Sequence, residues 1–132
     1  MTESLTAYSA GEPASLDLTL LRQLAHWGRA RGLDPVRQVV QAFLVATPPR
    51  LRELAHAMEA ADTAGVRRAA HALCGGCGQV GARHMAHLAA FLDTEARDGL
   101  THNQHLVRVL SREFESVRVA LEREFLAEAA HA

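Results

Sequence analysis

His71 lies one helical turn beyond two arginines, Arg67 and Arg68, and one turn before Cys74 and Gly75. The run is Arg67-Arg68-Ala69-Ala70-His71-Ala72-Leu73-Cys74-Gly75-Gly76-Cys77-Gly78-Gln79-Val80-Gly81-Ala82. At about 100 degrees per residue, Val66, Ala70, Leu73, Cys77 and Val80 fall in one sector, which predicts the buried seam of a helix. His71 falls on the opposite side with Arg67, Arg68, Cys74 and Gly75, and Gly78 and Ala82 follow a turn later. No acidic residue is among them. An outward imidazole with Nε2 free, flanked by two guanidiniums and by bare glycine backbone, is suited to carrying a phosphoryl group: arginine neutralises the phosphate and no carboxylate repels it. Each glycine inside a helix costs about 1 kcal/mol relative to alanine, so Gly75, Gly76 and Gly78 must serve some close approach. Gly76 points towards the seam side and predicts a helix contact, whereas Gly75 and Gly78 share the His71 side, where an incoming partner would use the clearance.

The same stretch also reads His71-x2-Cys74-x2-Cys77, and histidine and cysteine are zinc ligands. A zinc site or a thiol redox switch is therefore the rival reading. On a helix Cys77 faces the seam while His71 faces away, so the three converge only if the glycines melt the stretch into a loop. The helical expectation is no metal here, with Cys77 a buried small apolar residue, Cys74 at the edge of the phosphoryl site, and no obligatory disulfide between them. His84 and His87 form an i, i+3 pair without a further ligand at matched spacing. His26, His56, His102, His105 and His131 belong to no constellation and read as solvated, and Tyr8 and Trp27 offer no stacking platform. Arg50, Arg52, Arg108, Arg112 and Arg118 read as a solvated face or as ion pairs with Glu53, Glu115 and Glu122.

In the order His71-Ala72-Leu73-Cys74-Gly75, then Gly76-Cys77-Gly78-Gln79-Val80, then Gly81-Ala82, the sequence resembles the histidine-containing phosphotransfer (HPt) domain of bacterial phosphorelays. That family's motif reads His-x-Leu-Lys-Gly, then small residues, then Gly-Ala or a close variant. Asp62 upstream, the Leu51, Leu54, Ala57 run after a mid-chain Thr-Pro, Arg83-His84 downstream and the long final helix are similar as well, so the resemblance covers Leu16 to Leu126. The departure is Cys74, which stands where the family usually has the lysine thought to help hold the phosphoryl group; Arg67 and Arg68 offer substitute charge. The resemblance implies that His71 accepts a phosphoryl group from one receiver-domain aspartate and passes it to another. Its implied partners are receiver domains of response regulators or of a hybrid sensor kinase. The protein would then be a phosphocarrier without kinase activity of its own and without a resident cofactor, magnesium being supplied by the receiver. A phosphorylation-independent bundle that merely binds partners is the reading that follows if Cys74 marks a retired site.

These residues need helices to hold them. From Leu16 on, apolar residues recur at three- and four-residue spacing, and strand-like alternation is missing. The expected fold is all-α: an antiparallel four-helix bundle over residues 16–132, with an additional short N-terminal helix covering one end. Asp17 caps that short helix, which runs to Arg31 with Gly32 as its stop, and Asp34-Pro35 starts the next. At Pro48-Pro49 this helix either kinks or is recapped by Thr47. Asp62 or Thr63 caps a third, Gly81 interrupts it, Arg83 to Ala96 form a fourth, and Asp98-Gly99 make a turn. The last helix starts at Thr101 or Asn103 and carries the stripe Leu106, Val109, Leu110, Phe114, Val117, Leu121 and Phe125. Residues 1–15, rich in Ser, Thr, Gly and Pro, read as a mobile tail.

Composition narrows the classes. The 132 residues suit one domain, and a net charge of −1 from fourteen basic and fifteen acidic groups leaves no footprint for nucleic acid or an anionic membrane. All the basic residues are arginine, which removes Walker A, kinase and Schiff-base lysines. A single close cysteine pair does not make a secreted disulfide framework, and neither a signal peptide nor a membrane span is visible. The expectation is a cytoplasmic, free-standing monomer.

Overall fold

The computed structural model describes residues 16–99 and 103–127. The expected tail at 1–15, the alternative start at Thr101, and Tyr8, His102 and His131 lie outside them. Five helices follow in order: α1 (Thr19–Arg29), α2 (Pro35–Glu59), α3 (Thr63–Val80), α4 (Arg83–Arg97) and α5 (Gln104–Leu121), the last continued by a π-helical turn, Glu122–Leu126.

The chain's own signals set these boundaries. Asp34, Asp62 and Asn103 each accept a hydrogen bond from the backbone N–H three residues on, at Arg37 (3.2 Å), Gly65 (3.0 Å) and Leu106 (3.2 Å). At α1 the cap position is Leu18, yet Asp17 still does the capping work by accepting from the Thr19 N–H at 3.1 Å. Hydrogen bonds from Thr19 hold the Asp17 carboxyl below the usual carboxylate range. α1 ends at Arg29, with a turn through Gly32.

The recap by Thr47 at the paired prolines is not found. α2 is a single helix of 25 residues through Pro48 and Pro49, and the buried Thr47 hydroxyl donates backwards to the Phe43 carbonyl at 2.7 Å. The hydroxyl therefore fills a carbonyl near the point where proline removes ladder donors.

α2 to α5 pack as an antiparallel bundle, α3 lying chiefly against α2 and α4 while α5 rests on both of those. The start of α5 meets the ends of α2 and α4: the Asn103 N–H faces the Met58 sulfur at 3.5 Å, and its side-chain amide donates to Glu95 at 2.9 Å. At mid-bundle Phe43 and Phe114 contact with ring centroids 5.8 Å apart. Leu54, Leu73, Met85, Leu92, Leu110 and Leu121 are fully buried, each worth about 1.5–3 kcal/mol of burial.

α1 lies over the end of the bundle where α3 turns into α4. Gly81 closes α3 in the left-handed conformation, φ 76°. The Asp17 N–H donates to its carbonyl at 2.8 Å, and a Cβ at residue 81 would collide with the Asp17 carbonyl. Glycine is required there on both counts. An exposed Arg22–Glu124 ion pair at 2.9 Å joins α1 to the turn after α5.

Candidate functional site

α3 carries the candidate site in the middle of an unbroken helix. Val66, Ala70, Leu73, Cys77 and Val80 are buried on one side and His71 is exposed on the other, as the spacing predicts. Because helical side chains lean towards the N-terminus, the imidazole lies over the turn of Arg67 and Arg68, and any side chain at residue 75 would lie over its other flank. Residue 75 has none. A Cβ built at Gly75 or at Gly78 meets no atom within 4 Å. The helix accepts two glycines there without any internal packing reason, and the result is an exposed ring with open backbone on its C-terminal side.

Gly76 has a different neighbour. Its Cβ would stand 3.3 Å from Arg50 Nη1 and 3.8 Å from Phe43 Cδ1, so this glycine lets α2 approach α3, the helix contact expected of it. Arg50 is thereby removed from the solvated face to which the sequence reading assigned it. It is half-buried, its Nη1 donates to the Ala72 carbonyl at 3.4 Å, and no ion pair to Glu53 forms. Only Arg118 among the predicted helical pairs is found paired, to Glu115 and Glu122, each at 2.7 Å. Those two carboxylates hold the Arg118 guanidinium above its ordinary value, and the Arg118 hydrogen bond in turn holds Glu115 low.

The two predicted cations diverge. Arg67 turns to α4, where its Nε meets Asp93 Oδ1 at 3.0 Å, so an acid from another helix is present near a site whose own helix has none. Arg68 turns the other way, into the groove between α2 and α3 lined also by Pro49, Arg52, Glu53 and His56. Sequence spacing on α3 has no means of finding Asp93 or Arg50, since both arrive from neighbouring helices through the register of the bundle.

Cys74 is half-buried and Cys77 is wholly buried, both as free thiols. Burial pushes the Cys77 thiol up to about 12, the opposite of what a ligand or redox nucleophile needs. His71 and Cys77 face opposite sides of α3, and among the described residues no three His, Cys, Asp or Glu side chains group as metal ligands. The geometry needed by a His71-Cys74-Cys77 zinc site is absent from this helix. Gly78 also lines a depression beside α1, with Asp17, Leu20, Cys77, Gly81 and Arg83.

With that arrangement in view, comparisons with known proteins converge. The family model described as the Hpt domain matches residues 38–120, which contain His71 and the helices around it. The crystal structure of histidine-containing phosphotransfer protein B (HptB) from Pseudomonas aeruginosa PAO1 is similar at 29% identity and a TM-score of 0.75, over 85% of this chain and 95% of that one. No curated protein sequence matches the chain.

Proposed function

This chain belongs to the Hpt domain family, and on that premise we propose that His71 is a phosphoacceptor that relays a phosphoryl group between receiver-domain aspartates. Hpt domains are phosphocarriers of phosphorelays rather than kinases. The observation that supports His71 is its setting: an exposed imidazole in the middle of α3, with open backbone at Gly75 and Gly78 on its C-terminal flank.

The chemistry asks little of the bundle. The Nε2 lone pair attacks the phosphorus of an aspartyl phosphate; the N–P bond forms as the P–O bond breaks, and the aspartate leaves as its carboxylate. The proton on Nδ1 stays and the ring takes the positive charge, so no separate base is needed. Phosphoryl transfer depends mainly on positioning and on neutralising charge. The chain positions the ring on a rigid helix and leaves space for the receiver, while magnesium and the acidic pocket belong to that partner. Among the described residues, no helix is long and apolar enough to cross a membrane.

The test is to incubate the protein with a panel of phosphorylated receiver domains. Acid-labile, base-stable phosphate should appear on the wild type and be absent from a folded His71→Gln variant. Equal labelling of that variant overturns the assignment.

A further inference from the structure

A phosphoryl group on His71 brings two negative charges to a helix face whose cations are unequally available. Arg67 is engaged by Asp93 at 3.0 Å, and Arg68 shares its groove with Glu53 and Asp62. Cys74, one turn beyond the imidazole, has no charge to offer. Arg68 is ion-paired with neither Glu53 nor Asp62, but its groove sets two carboxylates around it, whereas Arg50 comes from another helix and lies against the backbone of α3. Among the described residues its one polar contact is a 3.4 Å bond to the Ala72 carbonyl, an acceptor within the α3 ladder, and no described acid pairs with it. A bond this long, to a carbonyl already used by its helix, is easily exchanged for a charged acceptor. Gly76 supplies a second, independent observation: α3 forgoes a side chain at the point where even a Cβ would press on Arg50 Nη1 at 3.3 Å.

We propose that Arg50, reaching from α2 across Gly76, is the cation that pairs with the phosphoryl group carried by His71, exchanging the Ala72 carbonyl for phosphoryl oxygens. It rests on the phosphocarrier reading. Arg50 is then a residue that holds the phosphoryl group, delivered by a different helix from the one that bears the histidine.

Phosphoramidate tests it without a protein partner, because it phosphorylates imidazole directly: its P–N bond breaks, ammonia leaves, and the N–P bond to histidine forms. The resonance of phospho-His71 is identified by ³¹P NMR as the one missing from His71→Gln, and the midpoint of its shift with pH is measured; a cation beside the phosphoryl group favours the more negative form and lowers that midpoint. Removing a guanidinium that pairs with the phosphoryl group should raise that midpoint by about half a unit in Arg50→Gln. Arg50→Lys should restore most of the wild-type value. Arg67→Gln should move it less, since Asp93 already engages that arginine. A purely structural Arg50 would lower the melting temperature of the Gln variant and leave the midpoint where it was; that result overturns the proposal. Failure of the wild type to form phospho-His71 sinks the phosphocarrier reading instead. In that case inorganic phosphate decides about Arg50 alone: amide shifts over Ala72–Gly76 that vanish in Arg50→Gln retain it as an anion-binding residue, and their absence in wild type rejects it.

Discussion

At the scale of single residues, His71 is defined as much by what its neighbours lack as by the ring itself. Gly75 and Gly78 leave open space on the exposed side of α3, so a side chain there should affect a docking partner and not the free protein. Gly75→Leu is expected to slow phosphotransfer from a receiver more than tenfold. The same change should leave the helical circular dichroism intact and raise stability by up to about 1 kcal/mol through better helix propensity. Unchanged transfer kinetics would remove the argument from clearance. The thiols separate by burial in the same way. Iodoacetamide at pH 8 should alkylate Cys74 and spare Cys77, whose thiol ionises only near pH 12, because the thiolate is the nucleophile. Cys77→Ala should cost about 1 kcal/mol through a small cavity, and Cys74→Ala almost nothing. Cys74→Lys should preserve or increase transfer by adding a cation beside the phosphoryl site. Labelling of both cysteines at equal rates would show that α3 opens at the glycines.

At the scale of elements, the helices were legible wherever a local side chain makes the boundary. Asp34, Asp62 and Asn103 cap as their sequence positions predict, because a cap is a contact over three residues. Passage of α2 through Pro48 and Pro49 was not legible in this way. It depends on burial of Thr47 and on the packing of Phe43 against Phe114, which are tertiary facts that override a local breaker. The junction between α3 and α4 is the element-level feature most exposed to a single change. Gly81 combines a φ of 76° with the close approach of the Asp17 carbonyl, so Gly81→Ala meets backbone strain and a clash together. A loss of about 2–4 kcal/mol is expected in urea unfolding. Gly99→Ala, which shares a positive φ of 86° but has open space around it, should lose only about 1 kcal/mol. Equal costs at the two positions would mean that the latch between Asp17 and Gly81 contributes nothing.

At the scale of the whole molecule, the candidate site is assembled by register. One face of α3 could be read from periodicity, but Asp93 meets Arg67 from α4 and Arg50 meets Ala72 and Gly76 from α2, and the sequence holds no record of which turns of two helices lie side by side. The same reason hid Glu113. A carboxylate reads as surface, yet Glu113 occupies the buried stripe of α5 between Leu110 and Val117 and is 1% exposed, with neither oxygen hydrogen-bonded to any described residue. A carboxyl group kept from water without a partner opposes folding, and replacing it with an apolar side chain of like shape should relieve that cost. Glu113→Met, similar in length and volume, is therefore expected to stabilise the bundle by about 1–3 kcal/mol, a rise in melting temperature of several degrees, on the order of 5 °C. Glu113→Ala separates polarity from packing, since it removes the carboxylate and leaves a cavity whose cost offsets the gain. Its stability should fall below that of the Met variant. A Met variant less stable than wild type would show instead that the carboxylate is satisfied in solution, by water or by the remainder of the chain, and that the seam of α5 is polar by construction.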